Sequence, residues 1–201
     1  MSTLKLVLAS ASPRRAELLS EAGYAFDIEP ADVDEQGLAQ GVEPRELARH
    51  LALAKAEVVA GRHRGKPVVV LAADTICRGQ AGEVIGKPID RDDARRILKS
   101  LVGTLHGVVT GYAIVRCDDG RRLDGIVRSD IVMRDVSDAE LEAFLDTDLW
   151  QGKAGAYGIQ DTPGGDDPFV EEIIGELSNV VGLPMPQIVE ALDELGITRD
   201  S

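Results

Sequence analysis

The stretch Pro67-Val-Val-Val-Leu-Ala-Ala73, followed at once by Asp74-Thr75, constrains this chain more than any other feature. It is far shorter than the roughly 20 apolar residues needed to cross a bilayer, and it is rich in β-branched side chains. Such a run suits a strand buried on both faces, at the centre of a sheet covered by helices. Its abrupt end in a carboxylate and a hydroxyl also marks a place for chemistry, because ligands of open α/β sheets gather beyond the carboxyl ends of strands.

The flanking pattern agrees with an α/β chain. Lys5–Ala9 reads as a strand that stops at Ser10-Ala11-Ser12-Pro13. Ser12 is placed as an N-cap and Pro13 as the first residue of a helix that closes at Gly23. Tyr24–Glu29 predicts a second strand, followed by the acidic stretch Asp32-Val33-Asp34-Glu35. Pro44 opens a long helix to about Gly61, and Arg91–Leu101 is an amphipathic helix. Val108–Cys117 and Gly125–Arg134 read as strands joined by the turn Asp118-Asp119-Gly120, and Ser137-x-x-Glu140 is a capping box. Residues 150–185 are Gly-rich and irregular, and a last helix runs from about Pro186 to Leu195. Early alternation followed by a hairpin predicts a mixed central β-sheet flanked by helices, in one domain over residues 1–201.

Charge narrows the function. The 22 Lys+Arg and 35 Asp+Glu leave a net charge of −13, which argues against general binding of nucleic acid polymers. The deficit is uneven: residues 1–100 hold 15 basic and 15 acidic side chains, and residues 101–201 hold 7 and 20. An anion site in the neutral half is therefore compatible with an acidic protein. Cys77 and Cys117 have no metal or redox spacing, and no apolar run predicts a signal peptide or a membrane span, so the expected location is the cytoplasm.

Four segments are candidates for chemistry. Arg14 and Arg15 stand in the first turn after Ser12, where the helix dipole disfavours cations; guanidinium forks placed there suit a phosphate, although a solvated arginine pair gives the same pattern. Asp74 can hold a divalent metal or accept a proton from water, and also has the plain reading of a turn cap. Gly82-Glu-Val-Ile-Gly86-Lys87-Pro88 is one residue short of a P-loop and lacks its Ser or Thr, which excludes a Walker-type ATPase and leaves Lys87 as a point charge. In Lys153-Ala-Gly-Ala-Tyr157-Gly-Ile-Gln160 the glycines permit close approach, and Tyr157 and Gln160 suit a flat polar base. His50, His63 and His106 show neither metal spacing nor a nucleophile partner, and Trp150 reads as a packing residue.

Taken in order, Ser10-Ala-Ser12-Pro-Arg14-Arg15, Ala73-Asp74-Thr75, Gly86-Lys87-Pro88-x-Asp90, Leu101-x-Gly103-x-x-His106-x-Val-x-Thr110-Gly111, Lys153–Gln160 and Asn179-Val-Val-Gly-Leu-Pro184 resemble the Maf family of nucleoside triphosphate pyrophosphatases. The resemblance covers residues 4 to about 195 and implies a Maf/ITPase-like fold. It implies hydrolysis of a nucleoside triphosphate to the monophosphate and pyrophosphate, with a divalent metal, Mg²⁺ or Mn²⁺. Asp74 matches the family's proton acceptor, and Glu35 with Asp74 matches the metal-binding carboxylates. Lys87 matches a catalytic cation; Ser10, Arg14, Arg15 and Lys55 match the substrate cradle. Arg14, Thr75 and Gln160 match the specificity positions and point to dTTP and UTP. The same reaction on 7-methyl-GTP or another modified purine nucleotide is the nearer alternative, and a non-catalytic nucleotide-sensing regulator of septum formation is the more distant one. Two departures touch the base side: the long acidic stretch Asp161–Pro168, and Glu176-Leu177 where Ser-Tyr is frequent. Family members are often homodimers, although no stripe in this sequence marks an interface.

Overall fold

The computed structural model describes residues 4–40, 42–43, 46–159 and 169–199. Its strands are β1 (Lys5–Leu8), β2 (Phe26–Ile28), β3 (Val68–Arg78), β4 (Val84–Ile85), β5 (Leu105–Arg116), β6 (Arg122–Met133) and β7 (Val170–Ile174). Its helices are α1 (Pro13–Glu21), α2 (Glu35–Leu38), α3 (Leu47–Arg62), α4 (Arg91–Leu101), α5 (Asp138–Leu145), α6 (Leu177–Val181) and α7 (Met185–Glu194). The strands form one sheet in the order β2-β1-β3-β5-β6-β7, with β4 paired to β3 off this path. The sheet is mixed: β1 runs parallel to β2 and β3, whereas β3–β4 and β6–β7 are antiparallel. Helices flank it, as the alternation of elements predicts.

The chain divides into two compact units, and β3, β5 and β6 each run through both. The first comprises residues 1–75, 110–127 and 182–201. There β3 is covered on both sides, and period-two alternation sorts its side chains. Val69, Leu71 and Ala73 join Leu19 of α1 and Ile188, Ala191 and Leu192 of α7. Val68, Val70 and Ala72 pack instead with Ala52, Ala56 and Val59 of α3. The next two residues inherit this alternation, so Asp74 falls on the α3 side and Thr75 on the α1 side.

β3 does not stop at Asp74-Thr75; it continues to Arg78. Ile76 and Cys77 are buried, and Cys77-Arg78 pair with β4, so apolar burial and ladder hydrogen bonds carry the strand through its polar doublet. The first helix begins at Pro13 after Ser12 as expected, but Ser12 makes no side-chain cap; its N–H donates to Ser10 Oγ at 3.2 Å. The expected helix start at Pro44 lies outside the described residues, and α3 is described from Leu47.

The second unit comprises residues 76–109 and 128–181. Ala94, Ile97, Leu98 and Leu101 of α4 pack with Leu141 and Leu145 of α5, and with Trp150, which donates its indole N–H to the Leu145 carbonyl at 3.0 Å. The capping box forms as read: Ser137 Oγ accepts from Glu140 N, and Glu140 accepts from Ser137 N. On the surface of this unit Arg95 donates to both carboxylate oxygens of Glu142, joining α4 to α5. Short elements within stretches read as irregular, β7 and α6 among them, complete it.

Candidate active site

The first unit assembles its polar groups around the Asp74-Thr75 doublet. On one side, Lys55 projects from α3, one turn from Leu51 and Val59 on the helix face that packs on the sheet. Its Nζ donates to Asp74 Oδ1 at 2.5 Å and pairs with Glu35 Oε1 at 2.6 Å. Glu35 is the first residue of α2, a short helix whose N-cap Asp34 accepts from Gly37 N at 3.0 Å. The acidic stretch of the sequence is thus a capped turn that brings a carboxylate to Lys55. Lys55 and Asp74 are largely buried, while Glu35 remains half exposed.

On the other side stands Arg15, on the face of α1 that also carries buried Leu19. Its Nε donates to the Gly182 carbonyl at 2.8 Å, Nη1 to Ser10 Oγ at 3.1 Å, and Nη2 to Thr75 Oγ1 at 3.1 Å. Thr75 Oγ1 in turn shares a hydrogen bond of 2.9 Å with Thr110 Oγ1, which is fully buried. Arg14 follows Pro13 on α1, half-buried and close enough to perturb Arg15.

Electrostatics match this placement. Burial pushes the Asp74 carboxyl above its ordinary range; Lys55 and Arg15 oppose that shift, and Glu35 adds to it. Asp74 is therefore a stronger base than an exposed aspartate, which suits a group that takes a proton. Desolvation lowers the Arg15 pKa, with Asp74 opposing, yet a guanidinium stays charged.

Among the described residues, no cluster of three or more His, Cys, Asp and Glu side chains forms a metal cage. What the site presents is two carboxylates, Glu35 and Asp74, converging on one cation, the Lys55 ammonium. That donor set fits a Mg²⁺-type ion, which takes one or two protein carboxylates and completes its shell with phosphate oxygens and water.

The structure thus brings together Ser10, Arg14, Arg15, Glu35, Lys55, Asp74 and Thr75 in the first unit. Lys87 belongs to the second unit, exposed on the stretch between β4 and α4. Gln160 and the acidic stretch Asp161–Pro168 lie outside the described residues. Glu176 turns its carboxylate back on the chain, accepting from Ser178 N at 3.2 Å and Ser178 Oγ at 2.9 Å. Thr110 and Gly182 are site residues that stand in the sequence only as letters of longer motifs. Their roles depend on partners 35 and 167 positions away, which no local pattern reveals.

His106, to which the sequence pattern assigns no role, is buried in the second unit with Nε2 2.7 Å from Tyr157 Oη. Burial pushes its pKa down to about 4, so the fold holds it neutral. A depressed histidine pKa contributes stability that is present above about pH 6.5 and is lost as pH falls through the folded value. The shift is equivalent to about 3 kcal/mol. Melting temperature should therefore decline from pH 7 to pH 4, and less steeply in His106→Gln, which carries no titrating group there. Parallel melting curves for the two proteins would refute this account of His106.

The comparisons follow the same outline. A family model described as Maf-like protein matches residues 5–195. The dTTP/UTP pyrophosphatase of Anaeromyxobacter dehalogenans strain 2CP-C is 44% identical over 195 residues, covering 96% of this chain and 94% of the relative. That of Geotalea uraniireducens strain Rf4 is 44% identical over 191 residues, covering 95% of each. A solved dITP/XTP pyrophosphatase from Mycobacterium abscessus aligns over 96% of this chain and 94% of its own, at 15% identity and a TM-score of 0.42. At that degree of likeness the fold assignment rests on this chain's own sheet. With the family model matching nearly end to end and relatives this similar over almost their whole length, the chain belongs to the Maf family.

Proposed function

We propose that this protein is a nucleoside triphosphate pyrophosphatase that hydrolyses dTTP and UTP, and modified pyrimidine nucleotides of similar shape, to the monophosphate and pyrophosphate. The observation that carries the reading is the doublet in β3: one residue is a carboxylate bridged by Lys55 to Glu35, and the next is a hydroxyl on Arg15. The relatives bearing the name dTTP/UTP pyrophosphatase support the substrate class.

Hydrolysis of a phosphoanhydride needs negative charge offset and a water aimed at phosphorus. Arg14 and Lys55 supply the positive charge, and Ser10, held by Arg15, adds a neutral donor. Asp74, its basicity raised by burial, accepts the proton of the attacking water. A divalent cation, Mg²⁺ or Mn²⁺, arriving with the nucleotide would be held by Glu35 and Asp74 and would neutralise triphosphate charge. Lys55, which pairs with both carboxylates, would then be available to pair with phosphate. The family motifs assign Lys87 a further cationic role and Gln160, with Arg14 and Thr75, the reading of the base. The reading places the enzyme in the cytoplasm, where free nucleotides are found.

A panel of nucleotides tests this. With Mg²⁺ or Mn²⁺, kcat/KM for dTTP and UTP should exceed that for dCTP, dGTP and 7-methyl-GTP by roughly tenfold or more, the discrimination expected of polar base recognition. A preference for 7-methyl-GTP would transfer the protein to the purine reading. Absence of turnover on every nucleotide, with binding retained, would favour a sensing role.

A further inference from the structure

A serine hydroxyl has two acceptor lone pairs and one hydrogen to donate. Ser10 Oγ accepts from Ser12 N at 3.2 Å and from Arg15 Nη1 at 3.1 Å, so both lone pairs are filled. Its one remaining capacity is as a donor. Ser10 is only 8% exposed, and a buried donor is costly without an acceptor.

Arg15 is held in turn. Three of its five N–H groups have acceptors among the described residues, and these fix the guanidinium in plane and along its fork. Gly182 is part of that grip: its φ is +121°, and a Cβ there would lie 3.4 Å from both Arg15 Nε and Thr75 Oγ1. Three donors of Arg15 thus go to two hydroxyls and a carbonyl, where the sequence pattern alone suggests an arginine aimed directly at substrate.

We propose that Arg15 is a positioning residue that acts on the nucleotide through Ser10: it occupies the Ser10 oxygen so that the serine hydrogen is presented as a donor to a phosphate oxygen. This rests on the pyrophosphatase reading. The incoming acceptor is an unprotonated phosphate oxygen, which has no hydrogen to offer and matches an obligate donor. Without Arg15, the hydroxyl can rotate and spend its hydrogen elsewhere.

A double-mutant cycle tests this, because groups that act as a unit lose their effects together. In the holoenzyme with Mg²⁺ and dTTP, Ser10→Ala and Arg15→Gln should each lower kcat/KM by roughly tenfold or more. Arg15→Gln placed on Ser10→Ala should cost less than about threefold further, and Ser10→Thr should retain most activity. A merely structural arginine, or one bound directly to phosphate, gives the same loss in both backgrounds, and that result overturns the proposal. Melting temperatures accompany each variant. If Arg15→Gln does not fold, Arg15→Lys, which keeps the charge but lacks the fork, takes its place in the cycle. Wild-type activity in Arg15→Lys would also overturn the proposal, since charge alone would then suffice. Failure of the wild-type protein to turn over dTTP would sink the pyrophosphatase reading instead, a separate outcome.

Discussion

Replacing Asp74 by Asn should lower turnover of dTTP by about 10²- to 10⁴-fold, the range associated with loss of a general base, while leaving the protein folded. The substitution keeps the shape and an acceptor for Lys55, and removes only the charge and the proton-accepting oxygen. The stability side follows from the sign of the pKa shift. Burial raises the Asp74 pKa in the folded protein above 3.8, so its favourable contribution exists below that value and is lost as pH rises through the folded pKa. At neutral pH the ionised carboxylate is thus a net cost, and a neutral isostere relieves it. Asp74→Asn should melt within about 3 °C of the wild type or higher, given the few degrees per kcal/mol typical of this size. The acid limb of kcat/KM in the wild type should also lie above the ordinary aspartate range, for the same reason. A wild-type rate in Asp74→Asn would remove Asp74 from the chemistry; an unfolded variant would mean that its carboxylate is structural.

Gly111→Ala should destabilise the protein severely, although it adds only one methyl group. A Cβ at this position would fall directly on the backbone of Ala48 and Arg49 in α3. Those are main-chain atoms, which cannot rotate aside as a side chain can, so α3 must move as a body. Overpacking of this kind costs about 3 kcal/mol, which in a chain of this length lowers Tm by about 10 °C. The consequence reaches function because α3 carries Lys55. A displaced α3 withdraws Nζ from Asp74 and Glu35, so kcat/KM should fall even at temperatures where the variant is folded. Gly61→Ala is the control: it lies on the same helix with nothing within 4 Å of the added atom. There, loss of glycine from a helix should raise stability by up to about 1 kcal/mol. A Gly111→Ala protein that melts and turns over like the wild type would show that α3 does not rely on this close approach.

These two positions show what the sequence reveals and what it conceals. The buried character of β3 is legible because its apolar side chains lie in one uninterrupted run. The helix α4 is legible from its amphipathic spacing and the start of α5 from the capping box at Ser137, whereas the cap that Asp90 places on α4 emerges only in the structure. The continuation of β3 past Asp74 is hidden, since a carboxylate and a hydroxyl in sequence look like a strand end. Only long-range partners make them tolerable inside it: Lys55 is 19 residues away and Arg15 is 60. Short elements such as α2, β4 and β7 escape for a related reason, having too few residues to show a period. At the site, family resemblance identifies Ser10, Arg15, Lys55 and Asp74, but the residue pattern does not say what each one touches. That Arg15 points its donors at Ser10, Thr75 and Gly182 is a fact of tertiary packing.

The central claim is the bond that is broken, and product analysis tests it most directly. Purified protein is incubated with dTTP and Mg²⁺, and the products are separated by anion exchange with pyrophosphate and orthophosphate assayed independently. The account predicts dTMP and pyrophosphate in equal amounts, with the same outcome for UTP and loss of both products in Asp74→Asn. Formation of dTDP with orthophosphate would contradict it.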